Sequence, residues 1–195
     1  MPLNQPIMRV VAGPPGSGKS TAFPVAEADL AYFEADQRAA QLNGGSFQSI
    51  PLHIRDHVNR ELELFIETHI RDRKSMTFET TLRSEITFHQ ARRARLNGFA
   101  LAMTYVALSS VNLHVERVAI RVDRGGHSTA VKMIEETYSA SLVNLRRALQ
   151  EFDDVAVYDN SGAKPELFLT CNKGKIQLIR EGTPNWVLKA AMGLF

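Results

Sequence analysis

The stretch Gly13-Pro14-Pro15-Gly16-Ser17-Gly18-Lys19-Ser20-Thr21 fits the pattern G-x-x-x-x-G-K-[ST], and its surroundings suit that pattern. An apolar run, Ile7-Met8-Arg9-Val10-Val11-Ala12, leads into it, and a helix-compatible segment follows from Lys19. Glycine admits backbone conformations closed to other residues, so Gly13, Gly16 and Gly18 let successive N–H groups turn inward toward phosphate oxygens. A helix starting at Lys19 adds the positive end of its dipole. In this reading Gly13 to Thr21 cradle a nucleoside triphosphate, Lys19 reaches its β- and γ-phosphates, and the Ser20 hydroxyl ligates Mg²⁺. The pattern leaves the reaction open.

Composition narrows the setting. A chain of 195 residues with 44% hydrophobic and 23% charged residues suits one soluble domain over 1–195 with a full core. A net charge of +2 suits an anionic substrate but falls well short of the Lys/Arg coating of a dedicated nucleic-acid binder. Cys171 is the only cysteine, so no intrachain disulfide or cysteine-based zinc cluster can form, which points to a reducing, cytoplasmic setting. No window approaches the ~18 apolar residues of a membrane span, and the first residues lack the basic start and apolar core of a signal peptide.

Outward from the loop, the first helix is expected over Lys19 to Asp29, despite Pro24. Leu30-Ala31-Tyr32-Phe33-Glu34-Ala35-Asp36 reads as a second strand with Asp36 at its C-terminal end, and residues 37–51 as a mobile connection around Asn43-Gly44-Gly45-Ser46. Ile54, Val58, Leu62, Phe65 or Ile66, and Ile70 set a long helix over 52–73, with His53, His57 and His69 on its solvated side. Residues 74–82 form a third strand running into a loop. There Glu79 either serves Mg²⁺ or substrate, or merely caps the next helix, expected over 84–97 and closed by Asn97-Gly98. Arg92, Arg93 and Arg95 on that helix form a solvated face.

A fourth strand covers 99–108. In the following helix, 110–124, Val111, Val115, Val118 and Val122 share one face while Arg117, Arg121 and Arg124 share another. Three guanidinium groups on one stripe call either for an anion among them or for screening by water. Gly125-Gly126-His127 supplies a hinge. Ser128 or Thr129 caps a helix whose Val131, Ile134, Tyr138, Leu142, Leu145 and Leu149 form a core stripe. A fifth strand, 155–159, precedes a hairpin of 166–171 and 175–180 around Asn172-Lys173-Gly174, and a short helix, 184–192, carries Trp186. Cys171 is a packed small residue. Strand and helix alternate, so the expected architecture is a three-layer α/β/α P-loop NTPase fold with a mainly parallel sheet, core about 7–162, plus a C-terminal β-hairpin and short helix. Ligands in such sheets gather at the C-terminal strand ends, where the phosphate loop, Asp36 and Glu79 all fall.

These landmarks resemble the zeta toxin family of small P-loop kinases, and more closely its zeta-toxin-like branch. They are Gly13 to Thr21, Ala35-Asp36, Phe78-Glu79-Thr80-Thr81-Leu82, Arg117-Val118 with Arg121-Val122 and Gly125-Gly126-His127, and Tyr158-Asp159-Asn160-Ser161. The resemblance covers about residues 7–162. It implies transfer of a phosphoryl group from ATP, with Mg²⁺, to a hydroxyl of UDP-N-acetylglucosamine or a related nucleotide sugar, and restraint by a small antitoxin protein. It also implies Asp36 as the base, and Glu79, Thr80 and Thr81 at the substrate. Glu79 joins Ser20 at the metal, and Arg117, Arg121 and Arg124 act with Lys19 on the phosphates. The 159–161 loop is implied to lie near the adenine. One departure is that Glu136 and Thr137, not an arginine, precede Tyr138, which leaves more of the phosphate contact to the 117–124 stripe. A kinase for another metabolite or a polynucleotide end, and an ATP-dependent switch acting through a partner, use the same parts and stay open.

Overall fold

The computed structural model describes residues 5–22 and 30–194, without the side chains of Thr21 and Ala22. The Thr21 side chain and the expected course of the first helix from residue 23 to Asp29 therefore lie outside the described residues. Fourteen elements follow one another in the chain: β1 (Ile7–Ala12), α1 (Lys19–Ala22), β2 (Ala31–Phe33), α2 (Ala35–Leu42), α3 (Leu52–Arg71), β3 (Met76–Thr80), α4 (Ile86–Leu96), β4 (Ala100–Ala107), α5 (Val111–Asp123), α6 (Val131–Glu151), β5 (Asp154–Asp159), β6 (Glu166–Asn172), β7 (Lys175–Ile179) and α7 (Asn185–Ala191). They build one seven-stranded sheet in the order β2-β3-β1-β4-β5-β6-β7. The first five strands are parallel, while β6 and β7 add on antiparallel, so the sheet is mixed and mostly parallel.

Register explains how the core forms. Met8, Val10 and Ala12 of β1 lie level with Met76 and Phe78 of β3 and with Leu101, Met103 and Tyr105 of β4. Met103 and Tyr105 in turn face Val155 and Val157 of β5, which meet Cys171 and Leu169 of β6. Because side chains alternate along a strand, all of these share one sheet face. Ile66 of α3, Phe88, Ala91 and Ala94 of α4, Leu145, Ala148 and Leu149 of α6, and Trp186, Val187, Ala190 and Ala191 of α7 complete the same cluster. Val11 and Thr77, also buried, point to the opposite face by the same alternation.

Three expectations need correction. Strand β2 stops at Phe33, and Asp36 sits in the first turn of α2 instead of ending a strand. Residues 37–51 are not all connection, since α2 runs to Leu42 and its Ala39 and Ala40 are buried beside Val58 and Ile50. The face that α2 buries is made of small residues alone, so no run of large apolar side chains marks a helix here, and its stability comes from packing on its neighbours. Helix α6 begins after Ala130 without a side-chain cap, and its core stripe uses the small residues Thr137, Ser141 and Ala148 while Val131 is exposed. The hairpin is as expected, and Lys173 (φ 47°) and Gly174 (φ 75°) both turn through the left-handed region that a two-residue hairpin loop demands.

The order of strands also creates the crevice. From β1 the chain goes to β2 and β3 on one side, then crosses to β4 and β5 on the other. The C-terminal end of β1 therefore opens between diverging connections, the place where open α/β sheets bind ligands.

Behind that crevice, the Tyr105 hydroxyl and Ser141 Oγ of α6 form a fully buried 2.8 Å hydrogen bond. Tyr105→Phe leaves the serine unpaired and should cost about 1–2 kcal/mol, whereas Tyr105→Phe with Ser141→Ala should cost less than the two single changes added together. Urea denaturation of the three variants measures this.

Candidate active site

The loop 13–18 leaves β1 between β3 and β4 and is pinned to both. Gly13 N–H donates to Thr80 O at 3.2 Å. With φ of 145°, Gly13 passes so close to β4 that a Cβ there would lie 1.9 Å from Val106 O. A side chain at this position is excluded by geometry, so the glycine is required by the sheet as well as by the phosphate pattern. Helix α5 packs directly onto the loop, since a Cβ on Gly16 would meet His114 O at 2.8 Å and Val118 Cγ2 at 3.0 Å.

His114 is the residue that sequence reading passed over. It is fully buried, its Nε2 accepts from Leu108 N–H at 3.1 Å, and its Nδ1 lies 2.7 Å from Pro15 O. An amide donor on Nε2 leaves the ring proton on Nδ1, so a neutral imidazole links the end of β4 to the phosphate loop. Burial pushes its pKa down to about 4, and the nearby Lys19 and Arg117 charges act in the same direction. Its spacing with Val111, Val118 and Val122 marks it as inward-facing on α5, and that was the signal available.

Lys19 folds over the loop, its Nζ donating to Gly13 O at 2.8 Å and Pro14 O at 3.3 Å. Desolvation holds its pKa below the ordinary lysine range, with the carboxylates of Glu79, Asp36 and Glu34 opposing that shift and Arg121 reinforcing it. Ser20 Oγ stands 3.4 Å from Glu79 Oε2 and 3.4 Å from Glu34 Oε1. Glu34, the residue before α2, is the second candidate side chain that sequence reading does not single out. Burial raises its pKa, and the Glu79 and Asp36 carboxylates add to that rise. Tyr32 donates to Glu79 Oε1 at 2.6 Å and fixes that carboxylate.

A hydroxyl between two crowded carboxylates is a hard-oxygen donor set that suits Mg²⁺, which keeps waters and phosphate oxygens for its remaining positions.

The other expected residues divide. Thr80 Oγ1 accepts from Leu82 N–H at 3.1 Å and lies 3.2 Å from Thr87 Oγ1. Thr81 is half-buried just beyond β3. Asp36 is exposed on α2, with its charge felt at Lys19 and Glu34. Arg117 NH1 lies 3.9 Å from where a Gly18 Cβ would sit, so this guanidinium reaches the loop. Arg121 lies near enough to Lys19 to perturb it, donates to His127 O at 3.0 Å, and has a buried Nε with no hydrogen-bond partner among the described residues. Arg124 is the exposed residue capping α5. The stripe therefore splits, two arginines turning to the loop and one to solvent. Asn160, in the 159–161 loop, donates from Nδ2 to Ser17 O at 2.9 Å.

The depressed pKa of His114 has a sign that can be worked out. Between its usual 6.5 and about 4 the unfolded chain binds a proton that the native state refuses, so stability falls as pH drops through that window. The full effect is of order 3 kcal/mol. Urea denaturation at pH 7, 6 and 5 should show a shallower pH slope for His114→Asn than for the parent, together with lower stability at pH 7.

Comparison with known proteins fits this geometry. A Haemophilus influenzae (strain Rd) protein of uncharacterized function is 28% identical over 130 residues, covering 65% of this chain and 88% of that one. Among solved structures, a chain of the PezAT chromosomal toxin–antitoxin system of Streptococcus pneumoniae superposes with a TM-score of 0.67 at 16% identity, over 85% of this chain and 72% of that one. The AvrRxo1-ORF1:-ORF2 structure with ATP gives a TM-score of 0.68 at 12% identity, over 89% of this chain and 60% of that one, so this chain spans about three fifths of its length. At such identities these likenesses speak for a shared α/β fold alone. The family model for zeta toxin matches residues 1–168, and the chain belongs to the zeta toxin family.

Proposed function

We propose that this protein transfers the γ-phosphoryl group of ATP to a hydroxyl of a small anionic acceptor, with nucleotide sugars such as UDP-N-acetylglucosamine as the first class to test. Family membership supports an ATP-dependent, kinase-like activity. The observation that carries the reading further is that Arg117 reaches the loop and Arg121 lies near Lys19, while the neighbouring Ser20 hydroxyl stands between the Glu34 and Glu79 carboxylates.

Phosphoryl transfer needs little covalent help and much positioning, because charge spreads over three equatorial oxygens in the transition state. In the proposed mechanism the loop N–H groups and Lys19 hold the β- and γ-phosphates, giving up the Gly13 and Pro14 carbonyls for stronger anionic acceptors. Arg121 is the arginine assigned to the γ-phosphate. Gly126 lies so close that a Cβ there would be 2.5 Å from Arg121 Cγ, and with His127 O it holds the side chain, whose Nε has no partner among the described residues. Ser20 with Glu79 and Glu34 would hold Mg²⁺, which supplies neutralisation of phosphate charge. Asp36, exposed at the mouth on α2, accepts the proton of the attacking hydroxyl. The acceptor oxygen bonds to the γ-phosphorus as the bridging bond to ADP breaks. The PezAT likeness suggests a protein antitoxin as a partner, a point that co-expression with neighbouring open reading frames addresses.

Mass spectrometry of reactions with Mg²⁺-ATP and a nucleotide-sugar panel tests the acceptor. A phosphorylated sugar nucleotide is expected with the parent and a loss of ~10²–10⁴-fold with Asp36→Asn, which should still bind ATP. Unchanged transfer by Asp36→Asn would remove it as the base, and Glu34→Gln would then be compared. ATP hydrolysis without any phosphorylated sugar would move the assignment to another acceptor or to a switch. Arg121→Ala should lower kcat by ~10²–10³-fold with a smaller change in ATP affinity, whereas Lys19→Ala should impair both.

A further inference from the structure

Helix α7 begins seventeen residues beyond the end of the family match, at Asn185 after residue 168, yet it is connected to the phosphate loop by hydrogen bonds. Trp186, almost fully buried, donates from Nε1 to Asp159 Oδ2 at 2.8 Å. The other oxygen of the same carboxylate, Oδ1, accepts from Ser161 N–H at 2.7 Å. Both oxygens of a buried aspartate are thus used to hold the turn that ends β5. Within that turn Asn160 is fixed at its backbone by Ala107 O, 2.9 Å away, and at its side chain donates to Ser17 O at 2.9 Å. It also fills the space beside Gly18, where a Cβ would fall 2.5 Å from Asn160 Nδ2.

The consequence follows from the peptide plane. A trans peptide points its C=O and N–H in opposite directions, and the described residues contain no cis bonds. Holding Ser17 O toward Asn160 therefore aims the Gly18 N–H away from it, into the loop that cradles phosphate.

We infer that Trp186 is a positioning residue for nucleotide binding, acting through Asp159 and Asn160 on the Ser17–Gly18 peptide. The inference rests on the reading of loop 13–18 as the ATP phosphate site. Packing alone does not require it. The indole ring sits 6.1 Å from the Tyr105 ring, a contact that phenylalanine would largely keep while losing the N–H.

The test uses the full chain and compares affinity for a fluorescent ATP analogue with the Tm of nucleotide-free protein. Trp186→Phe should weaken binding roughly tenfold, the scale of one hydrogen bond to a charged group. Val187→Ala, a buried cavity on the same helix without a link to Asp159, should lower Tm while leaving affinity within about twofold. In an Asn160→Ala background, itself weaker in binding, Trp186→Phe should add nothing further. Asp159→Asn keeps the shape, turns one acceptor into a donor, and reads the same link should Trp186→Phe fail to fold. Affinities of Trp186→Phe and Asp159→Asn within twofold of the parent, an equal loss in Val187→Ala, or additive effects with Asn160→Ala would each overturn the link. A parent protein that does not bind the analogue would overturn the nucleotide-site reading and this inference with it.

Discussion

The structure depends on the close approach of one backbone loop to three neighbours at once. Gly13 touches β3 through Thr80 O and grazes Val106 O of β4, His114 ties Pro15 O to β4 from α5, and Asn160 takes Ser17 O from the end of β5. None of these bonds is strong on its own. Together they remove the freedom that a six-residue segment rich in glycine would otherwise have to lose when it closes around an anion. The loop's shape is preorganised by the sheet, and the sheet order is what brings the ends of β3, β4 and β5 to one place.

Charge is arranged around that loop in two opposed groups. Lys19, Arg117 and Arg121 lie on or toward the loop, while Glu34, Glu79 and Asp36 face Lys19 and Ser20. Each group alone is unfavourable. Lys19 resists protonation because it is desolvated, and Glu34 resists ionisation for the same reason and because two more carboxylates lie near it. The proposed ligand, a triphosphate with a divalent cation, would relieve both strains at once, with negative charge among the cations and positive charge among the carboxylates.

The C-terminal segment extends the fold in a way that matters to the site. Strands β6 and β7 continue the sheet antiparallel, and α7 packs on the same core face as α4 and α6. The Asp159 carboxylate at the end of β5 is where this extension and the phosphate loop meet. A tail that looked like an appendix to a kinase core thereby becomes part of its interior.

The phosphate loop, the alternation of strands and helices, the hairpin and the family were all legible in the sequence, because each rests on local spacing: glycines and a lysine at fixed separations, apolar residues at periods of two and of three to four. Helix α2 was not, since the face it buries carries only the small residues Ala39 and Ala40 and no large apolar side chain to mark it. For the same reason Asp36 was read onto a strand that ends at Phe33, and Glu34 was overlooked. Spacing put Arg117, Arg121 and Arg124 on one stripe, but only the packing of α5 against Gly16 turned two inward and left the third in solvent. His114, Asn160 and Trp186 each lie far along the chain from the groups they hold, and hydrogen bonds across 99, 143 and 27 residues leave no periodic trace. The sequence by itself determined which chemistry the loop could perform, since that depends on residue type and short spacing. Tertiary structure alone decided what holds the loop in shape, because those partners meet only when the sheet has formed.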